Sequence, residues 1–199
     1  MYNKDAQVRL EVMVATLQKW SKAINLVSRS TLDDVWTRHV EDSAQIVPLI
    51  PAEAKTLADL GSGAGFPGLV IAAIRPDLQV TLVESDARKA AYLGEAGRAM
   101  NLPHPPRVVI GRIEQVPPLG ADVVTARALA PLPLLLEWAA RHRSATAICL
   151  FHKGKGWQVE LTEALEGWDI PHQHFASVTD SESVLLRVAD YRRRVGAKR

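Results

Sequence analysis

The stretch 56–65 constrains the fold more than any other part of the chain. An apolar run, Thr56-Leu57-Ala58-Asp59-Leu60, is closed by Gly61-Ser62-Gly63-Ala64-Gly65. A second apolar run, Leu69-Val70-Ile71-Ala72-Ala73-Ile74, follows almost at once, so the layout reads strand, glycine loop, helix. A residue without Cβ accepts positive φ and lets a ligand approach the backbone closely. The start of the next helix adds free N–H groups. Glu84 closes the next apolar run, Val80-Thr81-Leu82-Val83, so two neighbouring strands each bring a carboxylate beside one loop. This is the pattern of a nucleotide-type cofactor site.

Strand and helix alternate from Thr56 onward. Strands are expected over 56–60, 80–84, 108–111, 122–126 and 146–151, with helices over 68–74, 87–100, 132–142 and 157–165. Such alternation implies right-handed βαβ units and a parallel sheet, an α/β fold class. The end differs. Runs 174–178 and 183–189 are joined by Thr179-Asp180-Ser181-Glu182, which leaves no room for a helix and predicts a closing antiparallel hairpin. Ahead of the alternation, Leu10, Met13, Val14, Leu17 and Ile24 keep the spacing of one helix face, with Trp20 on or beside it. Ser28-Arg29-Ser30 breaks that pattern. Ser30 or Thr31 is then expected to cap a second helix with Val35, His39, Ser43 and Ile46 on one side, ended by Pro48 and Pro51. The expected organisation is a helical extension over 1–52 and an α/β domain over 53–199, packed as one unit.

The lone Cys149 excludes an internal disulfide, fits a reducing cytosol and reads as a core residue. The charge-free stretch from Ala128 to Leu136 is too short and too rich in proline to span a bilayer, and no secretory signal opens the chain. The net charge of +2 is unevenly placed: Arg192, Arg193, Arg194, Lys198 and Arg199 crowd the end, Lys153 and Lys155 flank a glycine, and Arg141 and Arg143 lie upstream. Such clusters either grip phosphates or form a solvated end. His172 and His174 alternate on a strand, but no cysteine or acid spacing completes a metal site, so none is expected.

The cofactor itself has two readings. Gly63-Ala64-Gly65-Phe66-Pro67-Gly68 matches G-x-G-x-x-G, and Glu84 stands near the distance of a ribose-binding acid, which suits a nicotinamide-dependent oxidoreductase. Three features favour S-adenosylmethionine. Asp59 lies two residues before Gly61, where it would repel a pyrophosphate but attract an ammonium and a sulfonium. Asp59-Leu60-Gly61-Ser62-Gly63-Ala64-Gly65 has the D-x-G-x-G-x-G form of the first methyltransferase motif. A hairpin after five alternating strands matches the Rossmann-like seven-stranded methyltransferase sheet. Glu84 is then expected to hold the two ribose hydroxyls.

At this point the chain resembles a known family over nearly its whole length. The matching pieces are Trp20-Ser21-Lys22 with Asn25-Leu26, Arg38-His39-Val40-Glu41-Asp42-Ser43, the run Asp59 to Gly68, Arg112-Ile113-Glu114, Arg127-Ala128 and Lys153-Gly154. In order and spacing they are similar to the bacterial small-subunit ribosomal RNA guanine-N7 methyltransferases of the RsmG (GidB) family. The resemblance implies methyl transfer from S-adenosylmethionine to N7 of a guanine in 16S ribosomal RNA of the small subunit, in the cytoplasm. It also implies cofactor contacts from Gly61, Gly63, Gly65, Phe66, the Ile113-Glu114 pair and Arg127. Ile113 stands where many members have alanine, a change compatible with a backbone contact.

The residues agree with that chemistry. Guanine N7 carries a lone pair and no proton, so the reaction needs no general base. The segment Thr125-Ala126-Arg127-Ala128-Leu129-Ala130-Pro131 lacks the N/D-P-P-Y/F loop of exocyclic amine methylation, and Cys149 sits mid-strand rather than on a loop, unlike a cytosine-C5 nucleophile. Arg127, just past the fourth strand, suits the guanine or its phosphate, or else an ion pair on the rim. Lys153 and Lys155 are either phosphate contacts or solvated. His39, Asp42 and Ser43 lie at i, i+3 and i+4, and Arg38 and Asp42 form a further i, i+4 pair. That face, with Arg38 and His39 as candidates, is either a seam docking the helices on the sheet or a lip over the substrate. Nothing demands more than a monomer. Two other readings stay open: a nicotinamide-dependent oxidoreductase and a non-catalytic ribosomal RNA-binding assembly factor.

Overall fold

The computed structural model describes residues 2–194; Lys198 and Arg199 of the basic tail lie outside the described residues. Among the described residues nine strands form: β1 Thr56–Leu60, β2 Gln79–Glu84, β3 Arg107–Ile110, β4 Ala121–Arg127, β5 Arg143–Lys153, β6 Trp168–Asp169, β7 His172–Ala176, β8 Val184–Ala189 and β9 Arg192–Arg193. Seven make one sheet in the order β3-β2-β1-β4-β5-β8-β7. The first five are parallel, and β8 and β7 join antiparallel. The strand order reverses beside β1, and the cleft outside the strand ends there is where α/β sheets hold ligands.

Side chains alternate between two cores because successive strand residues face opposite sides. Leu57, Leu82, Val123 and Leu150 pack with α1 (Lys4–Trp20), α4 (Gly68–Ile74) and α5 (Ala87–Ala99). Ala58, Val83, Val124 and Phe151 pack with α6 (Leu132–His142) and α7 (Trp157–Gly167). The expected α1 face holds: Leu10, Met13, Val14 and Leu17 are buried and enter the same core as the first sheet face. Each such leucine stabilises the packing by about 1.5–3 kcal/mol. Among the described residues, no helix is long and apolar enough to cross a membrane.

The second helix departs from expectation. Ser28 is the N-cap of a single turn, α2 (Arg29–Leu32), in place of Ser30 or Thr31. A π-helical turn over Trp36–Glu41 follows, then α3 (Asp42–Ala44) and a 3₁₀ turn over Val47–Leu49. The expected face nevertheless points inward: Val35, Ser43 and Ile46 are buried, joined by Val40, and His39 is stacked on Phe66. The hairpin strands end earlier and start later around the turn than expected. Asp180 takes the Glu182 N–H at 3.0 Å and the Ser183 hydroxyl at 2.7 Å, which closes a local turn instead of a ladder. The two-residue ribbon β6–β9 was not foreseen, being too short to show a period.

The basic residues Arg141, Arg143, Arg192 and Arg193 line neither cavity at the strand ends. Arg143 begins β5, at the end opposite the strand C-termini, and donates to the Tyr191 carbonyl at 2.9 Å. Arg192 pairs with Asp169 and Arg193 with Glu137, each at 3.0 Å, and Arg141 donates to the Val116 carbonyl at 3.1 Å. Those contacts hold the ribbon and helix ends together.

Candidate active site at the strand ends

The glycine loop is tied down by its own polar groups. Ser62 donates to the Val83 carbonyl at 3.0 Å, Gly65 to the Ser62 carbonyl at 2.7 Å, and Gly63 to Glu84 Oε2 at 2.8 Å. Glu84 Oε1 accepts the Asp86 N–H at 2.8 Å, so one carboxylate bridges the loop and the start of α5. Gly61 has φ +66°, and a Cβ there would overlap the Leu129 side chain from the loop after β4. Three of the loop's N–H groups are therefore spent inside the protein. A pyrophosphate held at such a loop needs them free, so the geometry speaks against the dinucleotide reading.

Asp59 is placed differently from its expected role. It is 1% exposed, beneath the loop, and does not line the cavity above. Oδ1 accepts from Thr125 Oγ1 at 2.8 Å, and Oδ2 has no hydrogen-bond partner among the described residues. A Cβ at Gly68 would come within 2.7 Å of Oδ2, which explains a glycine at the start of α4. Burial pushes the Asp59 carboxyl up to about 6, so at neutral pH an ionised carboxylate lies under the loop.

A cavity of about 510 Å³ opens over the loop. Gly61, Gly63, Phe66, Glu84, Ile113, Glu114 and Arg127 of the expected set line it; Gly65 does not. Its volume suits a small-molecule site. His142, buried at the end of α6, lies with Nε2 2.9 Å from the Ile113 carbonyl and so fixes the Ile113-Glu114 segment. Trp138 from α6, with Leu26 and Val27 after α1, completes the wall. Leu26 belongs to one of the pieces that carry the resemblance, whereas Val27 and Trp138 carried no motif that would single them out in the sequence.

Arg127 stands at the rim of this cavity and of a second one, about 580 Å³, on its other side. Its Nε lies 3.1 Å from Asp42 Oδ2, and its Nη2 donates to the Arg38 carbonyl and to His39 Nδ1, each at 2.9 Å. The His39 ring stacks on Phe66 with centroids 4.9 Å apart. Because Nδ1 accepts from a guanidinium, the proton sits on Nε2, which donates to Thr31 Oγ1 at 3.1 Å. Burial, and then the Arg127 charge, hold His39 down to about 4, so the ring is neutral at pH 7. The expected Arg38–Asp42 pair is replaced: Arg38 faces Asp34 at 3.8 Å, and Asp42 is taken by Arg127. Asp42 Oδ1 also accepts from Gln45 and from Thr179, both at 2.8 Å, which docks the hairpin turn onto the helical segment.

The second cavity is lined by Arg38, His39 and Arg127 on one side and by Lys153 on the other. Lys153 is neither solvated nor free. Its side chain is 7% exposed, pairs with Glu160 of α7 and donates to the Ala130 carbonyl at 3.1 Å. Lys155, outside the cavity, is exposed and pairs with Glu182. Cys149 is buried mid-strand with its thiol pushed up to about 12 by burial, and so is inert.

Five parallel strands, a closing hairpin and a glycine-loop cavity at the strand ends define a Rossmann-like methyltransferase. Solved structures share this fold at 14% identity: a SAM dependent methyltransferase from Aquifex aeolicus superposes with TM-score 0.60 over 88% of this chain and 97% of that chain. A ribosomal protein L11 methylase from Lactobacillus delbrueckii superposes with TM-score 0.61 over 76% and 78%. Within that class the chain belongs to the rRNA small subunit methyltransferase G family, whose model matches residues 6–184. Relatives named ribosomal RNA small subunit methyltransferase G include one from Paramagnetospirillum magneticum, 48% identical over 96% of this chain and 92% of its own length. Another, from Rhodospirillum centenum, is 50% identical over 92% of this chain and 83% of its own length.

Proposed function

We propose that the protein transfers the methyl group of S-adenosylmethionine to N7 of a guanine in 16S ribosomal RNA of the small subunit. The observation that carries this reading is the shared wall: His39, Arg127, Ala128 and Leu129 line both cavities, so a donor in one and an acceptor in the other would meet there. Family membership supplies the RNA class.

The residues over the first cavity fit the donor. Glu84, already oriented by two N–H groups, keeps lone pairs for ribose hydroxyls. Asp59 supplies negative potential beneath a cation, and Phe66 and Trp138 offer apolar surface. When bound, S-adenosylmethionine would supply an electrophilic methyl group, and N7, which carries a lone pair and no proton, would need no base. The chain's part is alignment and exclusion of water. Arg127, fixed on three sides, orients the acceptor, and neutral His39 holds the aromatic wall closed without adding a charge. Gly65, Lys155 and Arg38 act around that centre: Gly65 shapes the loop, and the two cations meet the RNA backbone.

The helical segment 1–52 belongs to the catalytic unit in this reading, since it carries His39 and Asp42. The substrate implies the cytoplasm. Mass spectrometry of small-subunit ribosomal RNA from cells lacking the protein tests the proposal. One guanine should lose a methyl group at N7 and regain it when purified protein and S-adenosylmethionine are added. An unchanged modification map would refute it.

A further inference from the structure

Buried Lys153 and partly exposed Glu160 form an ion pair in the lining of the second cavity, and neither has spent its hydrogen-bonding capacity. Glu160 Oε2 takes Lys153 and the Leu132 N–H, the latter at 2.8 Å, while Oε1 has no donor among the described residues. Lys153 has three N–H groups, of which one goes to Glu160 and one to the Ala130 carbonyl. A buried ion pair is weak evidence for stability, because desolvation offsets much of its attraction. Here it leaves a donor and an acceptor side by side. The rest of the lining is mixed, and Leu129, Pro131, Leu135 and Val184 give it apolar surface beside the polar groups of Ser177, Thr179 and Ser183.

We propose that this pair reads the guanine, with Lys153 donating to O6 and Glu160 Oε1 accepting from N1–H and the 2-amino group. The inference rests on the reading of the preceding subsection and names its base-recognition site. Guanine offers an acceptor beside donors along its pairing edge, which matches ammonium beside carboxylate. Adenine reverses that order: its amino group would face Lys153 and its N1 lone pair would face Glu160. The flat faces of the base suit the apolar part of the lining. With the pairing edge on the ion pair, the N7 edge is free to turn toward the wall shared with the first cavity. The ion pair persists on binding, so recognition needs no rearrangement of α7.

The test uses small subunits reconstituted with guanine or inosine at the modified position, since inosine lacks only the 2-amino group. Wild-type protein should methylate the guanine particle about tenfold faster or more, measured as kcat/KM, because a site built around a donor rejects the analogue lacking it. Glu160→Ala should lower the rate on guanine but bring guanine and inosine within about threefold, with cofactor affinity unchanged as the control for folding. Full discrimination retained by Glu160→Ala overturns the inference. So do equal wild-type rates on the two particles, a result that needs no variant. Absence of methyl transfer to either particle instead overturns the methyltransferase reading itself.

Discussion

Arg127 and Asp42 hold each other across 3.1 Å, from Nε to Oδ2, with side chains only 18% and 14% exposed. This pair joins the end of β4 to the helical segment, and through Thr179 it also joins the hairpin turn. Arg127 meets Asp42, the Arg38 carbonyl and His39 at once, which a planar guanidinium does and a single ammonium cannot.

Asp42→Asn and Arg127→Lys should therefore each lower kcat for RNA methylation by about 10–100-fold, while the cofactor Kd moves by less than about threefold. The double variant should fall well short of the product of the two losses, because both changes break one contact. Fully multiplicative losses in a double-mutant cycle would show that the pair does not act as a unit.

Asp59 gives a prediction of opposite sign for stability and function. Its folded value of about 6 lies above the ordinary 3.8, so between these pH values the folded protein binds more protons. Stability from this group thus falls as pH rises from about 4 to 6, and the cost is fully present above that. Asp59→Asn should remove the slope and raise unfolding free energy at pH 7 by up to about 3 kcal/mol, read from urea melts. The same variant should bind S-adenosylmethionine about tenfold more weakly, by loss of negative potential near a cation. A variant equal to wild type in both measurements would remove Asp59 from the site's electrostatics.

Glu84 combines loop anchoring with a position on the cavity wall. Glu84→Ala frees the Gly63 and Asp86 N–H groups and deletes the expected ribose partner. Cofactor affinity should drop by about 10–100-fold, or about 1.4–3 kcal/mol, in calorimetric titration. Unchanged affinity would remove the carboxylate from the donor site.

Much of this architecture was legible in the residues because it rests on local pattern. The continuous apolar runs of β1, β2, β4 and β5, buried on both sheet faces, the 3.6-residue face of α1 and the glycines around Gly61 each report their own conformation. Asp59 was found by the same logic, but its burial beneath the loop was not, since the motif gives the strand position and not the direction of a side chain. His142, Trp138 and Glu160 were missed for a related reason: each reaches the site from a helix whose sequence shows only amphipathic spacing. The π-helical turn over Trp36–Glu41 has no periodic signature, and the Arg127–Asp42 pair that stands in place of the expected Arg38–Asp42 pair joins residues 85 positions apart, beyond any local spacing rule. The basic residues 141–143 and 192–194 show the limit of composition, which counts charge without saying which end of the sheet carries it.

His39 provides a test of the aromatic wall by acid titration. Its ring is neutral and accepts from Arg127, with a folded value of about 4 against the ordinary 6.5. Between these values the unfolded chain takes up a proton that the folded chain refuses, so this group's stability is complete above about 6.5 and is lost as pH falls toward 4. His39→Phe preserves a stack on Phe66 and removes the titration. Melts of the two proteins between pH 4.5 and 7 should then diverge, with wild type losing stability more steeply on the acid side. The subtraction cancels the slopes of Asp59, His142 and His152, present in both chains. Nitrogen-15 spectra should show His39 with its proton on Nε2 and a midpoint near 4. A midpoint near 6.5 would mean that Nδ1 does not accept from Arg127, and the wall between the two cavities would have to be rebuilt without that bond.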